Sequence, residues 1–410
     1  MKPAPIAVLA CFLALATSCS VVPSPDASTG FLDASAWDFR QGRLPLKGEW
    51  SFYEGVLAAP TPQVGNTYRA FPEIWNTGKL GENTINYATY QLRVKVNAHD
   101  SLALAVPQIY CSYRLWVNQQ LVSENGTPGT TKRTTQPQWL PRTVHFPVTA
   151  DTLLITLQIA NFYHYKGGIR ENIYLGSIEL LDQHRSLAAT SMWIESVVLA
   201  SLGVLFLGLF VFKRRSVILY FSLVCLVWSV RALFSNLYLI IDRYPDLNWF
   251  LMIRVEYLTI YVTMVLMLLY VLKLFPKESV KVLFFLLLGA NICFIIPTLV
   301  AEPLVFTRYL PVYLFTAGCT ILLGAATVLL AWVNDRPGTT FMLLAVFMTA
   351  ALFSYDILAY EGMFLFNELV ISAGYVVVFL FLCLALMAKL NIFNRPTQGD
   401  TLTYEQMFPK

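Results

Sequence analysis

The sequence predicts an all-β sandwich followed by an all-α membrane bundle of seven helices. The apolar share is 56%, above the roughly 45 to 50% of soluble domains. Charged residues make up 13%, about half the usual quarter. The texture also changes near Arg185, from short alternating runs to long apolar stretches. This composition excludes a disordered, collagen-like or wholly water-soluble chain. The net charge of +4 does not make a nucleic-acid partner, because the cations fall in short clusters between apolar runs, which is a topology signal.

The first element, residues 1–18, joins Lys2 to an apolar core over 6–15 and small residues at Ala14, Ala16 and Ser18, the pattern of an export signal. Cys19 follows Ala16-Thr17-Ser18 as in a bacterial lipoprotein signal, with Leu15 one position upstream of its usual place. Cys19 is therefore a lipidation candidate, the competing reading being an ordinary cleavage site beside an incidental cysteine. Residues 19–30, rich in Pro, Ser and Gly, read as a flexible spacer.

Residues 31–185 read as the β domain. Strands are expected at 87–96, 102–106, 113–117, 144–148, 153–159 and 173–181, with a hairpin turn at 118–120. Antiparallel strands over about 150 residues without helical periodicity argue a sandwich. Seven apolar runs then follow, at 192–212, 217–241, 249–274, 282–301, 309–333, 339–360 and 367–388, within a membrane domain of 190–390. Each is long enough to cross a hydrocarbon core of about 30 Å, and in lipid each must be helical to satisfy its backbone. The connectors after runs one, three, five and seven carry Lys213, Arg214, Arg215, Lys273, Lys277, Lys281, Arg336 and Lys389. The positive-inside rule makes these cytoplasmic and places the β domain in the periplasm, in accord with the export signal. The tail, 391–410, is too short for a catalytic domain.

All four histidines precede the bundle, so no histidine metal site is expected in the membrane; the cysteines contain no C-x-x-C pair and imply no disulfide framework. No H-E-x-x-H, G-x-S-x-G, P-loop or dinucleotide turn is present. No cofactor and no enzymatic activity are expected.

Several ectodomain motifs resemble those of the bacterial seven-transmembrane receptors with diverse intracellular signalling modules. Gly48-Glu49-Trp50-Ser51-Phe52-Tyr53 is similar to the family's opening G-E-W-x-F-Y, and Ala88-Thr89-Tyr90-Gln91-Leu92 to its A-T-Y-x-L strand. Val117-Asn118 and Asn125-Gly126 match its turns, with Gln119 standing where the family has Gly; Asn161-Phe162, Gly167-Gly168 and Leu175-Gly176 fit its closing pattern. The resemblance implies a jelly-roll, carbohydrate-binding-like domain that senses a periplasmic small molecule or glycan, and a bundle that relays its state. Family members usually continue into a histidine kinase, diguanylate cyclase or phosphatase domain. Here the sequence stops after the seventh run, so the implied output is a separate cytoplasmic protein such as a histidine kinase or cyclase.

Two residue groups are candidates for function. Phe162, Tyr163, His164, Tyr165 and Lys166 form the densest aromatic cluster of the β domain, suited to stacking on a sugar face; the competing role for each ring is sandwich core. Within the spans, Arg231, Arg254, Glu256 and Asp356, together with Glu195 and Glu368, are costly in hydrocarbon. Pairs such as Arg231 with Asp356, and Arg254 with Glu195 or Glu256, are expected either as a relay or as static interhelical contacts. A transporter or channel with an accessory β domain and a non-signalling adaptor are the alternatives to a receptor. An odd number of spans without an inverted repeat disfavours transport.

Overall fold

The structure is a computed structural model that describes residues 24–62, 67–75, 85–97, 101–360 and 367–390. The export signal, Cys19, the first part of the spacer, the tail and the side chain of Asp356 lie outside the described residues.

The β domain is a sandwich, as expected. Its larger sheet runs β10 (Gln120–Asn125), β9 (Ser112–Val117), β12 (Thr152–Ala160), β6 (Tyr87–Lys95), β3 (Gly48–Glu54) and β4 (Tyr68–Phe71), with β1 (Phe31–Asp33) parallel to β6. The facing sheet is β11 (Arg142–Phe146), β7 (Leu102–Val106), β14 (Tyr174–Ser177) and β2 (Leu44–Pro45). A small third sheet joins β5 (Ile74–Trp75), β13 (Gly167–Ile169) and β8 (Ile109–Tyr110). Leu92, Leu115, Ile155 and Leu157 from one sheet and Leu44, Leu104, Val106 and Leu175 from the other form one core.

Trp50 and Phe52 of the opening motif are core residues: Trp50 stacks on Phe71 at 4.1 Å and meets Tyr90 edge-on at 6.4 Å. The outer face of β6 is closed as well, because the Gln158 amide donates to Ala58 O at 2.9 Å and the Thr89 hydroxyl to Val56 O at 2.8 Å. The β9–β10 hairpin has a two-residue turn, with Val117 opposite Gln120. Its left-handed residue is Asn118 at φ 56°, a conformation Asn tolerates, so Gln119 needs no glycine.

The strand expected at 173–181 ends early. β14 stops at Ser177, whose hydroxyl accepts from Leu180 N at 3.3 Å and caps α1 (Ile178–Lys213). This helix of 36 residues is continuous from the β domain into the first apolar run, about 54 Å of rod at 1.5 Å per residue. The remaining long helices are α2 (Ser216–Leu233), α4 (Trp249–Leu274), α5 (Lys281–Val300), α7 (Leu310–Val333), α8 (Thr339–Tyr360) and α9 (Glu368–Lys389), with short helices α3 (Leu239–Arg243) and α6 (Pro303–Arg308) between them. Among the described residues six helices are long and apolar enough to cross a membrane, and α8 contributes a shorter described apolar stretch, Thr339–Tyr355. The protein is a multi-pass membrane protein.

The second run differs from the sequence expectation of 217–241. Helix α2 ends at Leu233; Asn236 (φ 55°) and Tyr238 (φ 50°) turn the chain before α3. The apolar residues past this break, Tyr238 and Ile241, are buried in a cluster shared with the β domain rather than in a span. Inside the bundle, α1 and α2 meet at small polar residues: Ser196 Oγ donates to Ser229 O at 3.0 Å, Ser229 Oγ to Ser196 O at 2.8 Å, and Ser222 Oγ to Gly203 O at 2.8 Å. Such close approach is how helices associate where hydrophobic burial gives little preference. At the end remote from the β domain, Arg336 bridges to the buried Glu278 at 2.5 Å, tying two basic connectors together.

Gly48 is constrained by conformation and space together. Its φ is 114°, and a Cβ there would run into the Ala27 backbone. Gly48→Ala is expected to destabilise the β domain by about 1–3 kcal/mol, read as a lowered denaturant midpoint of the β-sheet signal with an unchanged slope.

Candidate functional site

The aromatic loop 162–166 lies at the seam between sandwich and bundle. Asn161 builds it: its Nδ2 donates to His164 O at 2.7 Å and Lys166 O at 2.8 Å, while its Oδ1 accepts from His164 N at 3.0 Å and from Cys111 Sγ at 3.0 Å. These bonds curl the loop so that the His164 ring points at α4. His164 is 4% exposed. It stacks on Tyr110 at 4.7 Å and 17°, with Nε2 3.3 Å from Tyr257 Oη and Nδ1 3.0 Å from Lys166 O and 3.1 Å from Lys166 N. Either neutral tautomer is satisfied: one accepts from Lys166 N and donates to Tyr257, the other donates to Lys166 O and accepts from Tyr257.

The loop-borne Trp139, 1% exposed, is the hub of the seam. Its ring meets Trp249 edge-on at 5.3 Å, His164 at 5.5 Å, Tyr110 at 5.5 Å and Tyr238 at 5.8 Å. Tyr163 packs on Phe250 at 5.5 Å and donates its hydroxyl to Lys132 O at 2.8 Å. Below them the rings continue into the bundle: Tyr257 against Phe306 at 5.4 Å, Tyr261 against Tyr313 at 4.3 Å, and Phe294 against Tyr313 at 5.3 Å. From Trp249 to Tyr261 this column descends about 18 Å along α4.

Polar contacts ring the aromatic core. Arg185 of α1 donates to Pro141 O at 2.7 Å and pairs with Asp242 at 2.6 Å. Lys132 pairs with Glu302 at 2.7 Å, Tyr165 N donates to Thr307 Oγ1 at 3.1 Å, and the Gln138 amide reaches Pro245 O and Leu247 O, each at 3.4 Å. A buried aromatic centre inside a polar rim is the anatomy of a specific interface.

The sequence candidates are thus divided. His164, Tyr163 and Tyr165 contact the bundle directly; Phe162 instead stacks on Tyr87 at 6.4 Å, on the sandwich side, and Lys166 supplies the backbone groups around His164. Among the span candidates, Arg231 donates to Glu256 O at 3.1 Å and lies 5.6 Å over the Trp228 ring. Arg254 donates to Phe250 O at 2.8 Å and Ala301 O at 2.9 Å, and the buried Glu195 accepts from Trp228 Nε1 at 3.0 Å. Among the described residues, Arg254 does not form the expected side-chain ion pair with Glu195 or Glu256; the pair expected between Arg231 and Asp356 lies outside the described residues. Two carbonyls thus stand where a carboxylate was expected beside Arg254, and an indole meets Glu195. Tyr238 Oη lies 3.4 Å from Glu256 Oε2 while its ring touches Trp139, so the charged group and the seam are contiguous. Sequence reading missed Trp139, Tyr238, Trp249 and Tyr257. The overlong second apolar run was the signal for Tyr238.

Burial lowers the His164 pKa from its ordinary 6.5 to about 4. The unfolded imidazole takes up a proton in that window and the folded one does not, so its effect on stability is absent above pH 6.5 and destabilisation grows as pH falls toward 4. The expected loss, from a fall of about two and a half units, is on the order of 3 kcal/mol. Unfolding measured from pH 7 to 4 is expected to show this acid slope in the wild type and a flatter one in His164→Gln.

Residues 195–389 match the family described as 7TM diverse intracellular signalling. No curated protein shows significant similarity to the chain. Among solved structures, a Faecalibacterium prausnitzii β-glucuronidase is similar at 16% identity over 33% of this chain and 31% of that chain, with a TM-score of 0.26. A GH2 β-galacturonidase from Eisenbergiella tayi follows at 14%, 33%, 24% and 0.24, and a Ruminococcus gnavus β-glucuronidase at 11%, 33%, 28% and 0.26. The chain spans about a third or less of the length of these enzymes. The succession of apolar helices from α1 to α9 is thus the part of the chain that matches the 7TM diverse intracellular signalling family.

Proposed function

We propose that the protein is a receptor of the bacterial inner membrane whose sandwich lies in the periplasm, binds a small molecule or glycan there, and passes its state through the seam to the helices. The cytoplasmic connectors then act on a signalling protein such as a histidine kinase or cyclase. One observation carries this reading: the aromatic column is continuous from the sandwich (His164, Trp139) into the bundle (Tyr257, Tyr261, Tyr313), so the two domains share a core. The basic connectors at the remote end support the orientation, and the match of the helices to a signalling family supports sensing over transport.

For a state to pass, a ligand must favour one seam geometry over another, and a coupling of about 1–3 kcal/mol is enough. The packed rings are suited to this, because close-packed interiors switch between discrete arrangements rather than deforming smoothly. The role of the loop 162–166 in this reading is to hold the sandwich against α4.

The test uses full-length protein in nanodiscs, a glycan and metabolite binding screen, and lysine footprinting of Lys213, Lys273 and Lys277. A ligand found in the screen is expected to change the footprint, and Trp139→Leu to abolish that change while altering affinity less than about threefold, since the coupling and binding energies are separable. A footprint change that survives in Trp139→Leu contradicts transmission through the seam.

A further inference from the structure

Beside the aromatic seam, sandwich and bundle leave an open cavity of about 260 Å³. Arg142 and Thr143 of β11 line one side, Arg185 of α1 and Asp242 of α3 the other, with Leu140 and Ile241 as apolar walls. The charges of the lining residues are unequal: two arginines and one aspartate. Arg142 is exposed, and its side chain forms no hydrogen bond or ion pair among the described residues. Arg185 uses one terminal nitrogen on Pro141 O and the other on Asp242, and a guanidinium has five N–H donors, so it keeps capacity for a further acceptor. The cavity is smaller than the roughly 300–1,000 Å³ of typical drug-sized sites, which suits a compact group rather than an oligosaccharide.

We propose that this cavity binds a small oxyanion, a carboxylate or a phosphate, between Arg142 and Arg185, in competition with the Asp242 carboxylate. The planar guanidinium fork matches either group. The incoming anion takes the place of Asp242 on Arg185, one ionic contact being exchanged for another, with Arg142 providing the net gain. Asp242 sits on the short helix that starts directly after Tyr238, the residue touching both Trp139 and Glu256. Release of Asp242 therefore loosens the segment that ties the seam to the charged group of the bundle. Arg185 precedes the apolar run of α1 by about two helical turns, roughly 10 Å, so the cavity opens near the bilayer surface, where the headgroup of an anionic lipid and a dissolved anion present the same chemistry.

The site depends on the seam geometry and not on the receptor reading: an anion that binds here without altering the remote basic connectors would keep the site and remove the proposed function. The experiment uses full-length protein in two settings, phosphatidylcholine nanodiscs titrated with inorganic phosphate against chloride at constant ionic strength, and phosphatidylglycerol-containing nanodiscs without phosphate. Amide hydrogen exchange over residues 239–247 is the readout. A saturable rise in exchange with phosphate assigns a dissolved anion, and a rise only with phosphatidylglycerol assigns a headgroup. Whichever anion acts, Arg142→Gln is expected to raise its half-saturating level at least about tenfold, the loss of one charge-assisted pair, and Asp242→Asn to lower it. Arg142 is exposed, so its replacement leaves the fold in place, which the thermal transition checks. Absence of a response in both settings, or variants that shift in the same direction, would overturn the proposal.

Discussion

Trp139 stands where the sandwich and the bundle must agree on one geometry. It is carried by a loop of the sandwich, yet its ring is enclosed by Tyr238 and Trp249 from the bundle and by His164 and Tyr110 from its own side. Edge-to-face pairs of this kind contribute about 0.5–1.5 kcal/mol each beyond the area they bury. Their geometric preference fixes orientation as well as distance. The loop shaped by Asn161, the break after α2 and the capped start of α4 all serve to bring these rings together.

The charged residues of the spans gain their meaning from this arrangement. A charge near a helix centre is costly, and the structure reduces that cost by local partners: Arg231 on a carbonyl and an indole, Arg254 on two carbonyls, Glu195 on an indole. Because Glu256 also meets Tyr238, a displacement at the seam reaches these groups in two contacts. Contiguity of this kind is a physical route for coupling, and its strength is a matter for measurement.

The sandwich and the bundle were legible in the sequence because each follows a periodicity that its solvent imposes: alternation where one face meets a core, and unbroken apolar runs where lipid surrounds a helix. The β6, β7 and β12 strands lie close to the expected 87–96, 102–106 and 153–159, although most of their residues are buried on both faces. The second apolar run misled at its far end, because hydropathy does not distinguish Tyr238 and Ile241 packed under a soluble domain from side chains in lipid. The aromatic loop was legible as unusual but its place was not, since composition is the same for a ring that awaits a sugar and one that faces another domain. Trp139 carried no sequence signal at all: its importance comes from partners roughly 100 residues further along, and such a long-range contact has no local pattern.

The central claim is that sandwich and bundle are energetically one unit through their shared rings. A double-mutant cycle on Trp139→Ala and Trp249→Ala, with unfolding followed in the full-length protein, measures it most directly. The account requires an interaction energy of about 1 kcal/mol between the two positions. Effects that add within about 0.3 kcal/mol would mean that the rings touch without coupling the domains.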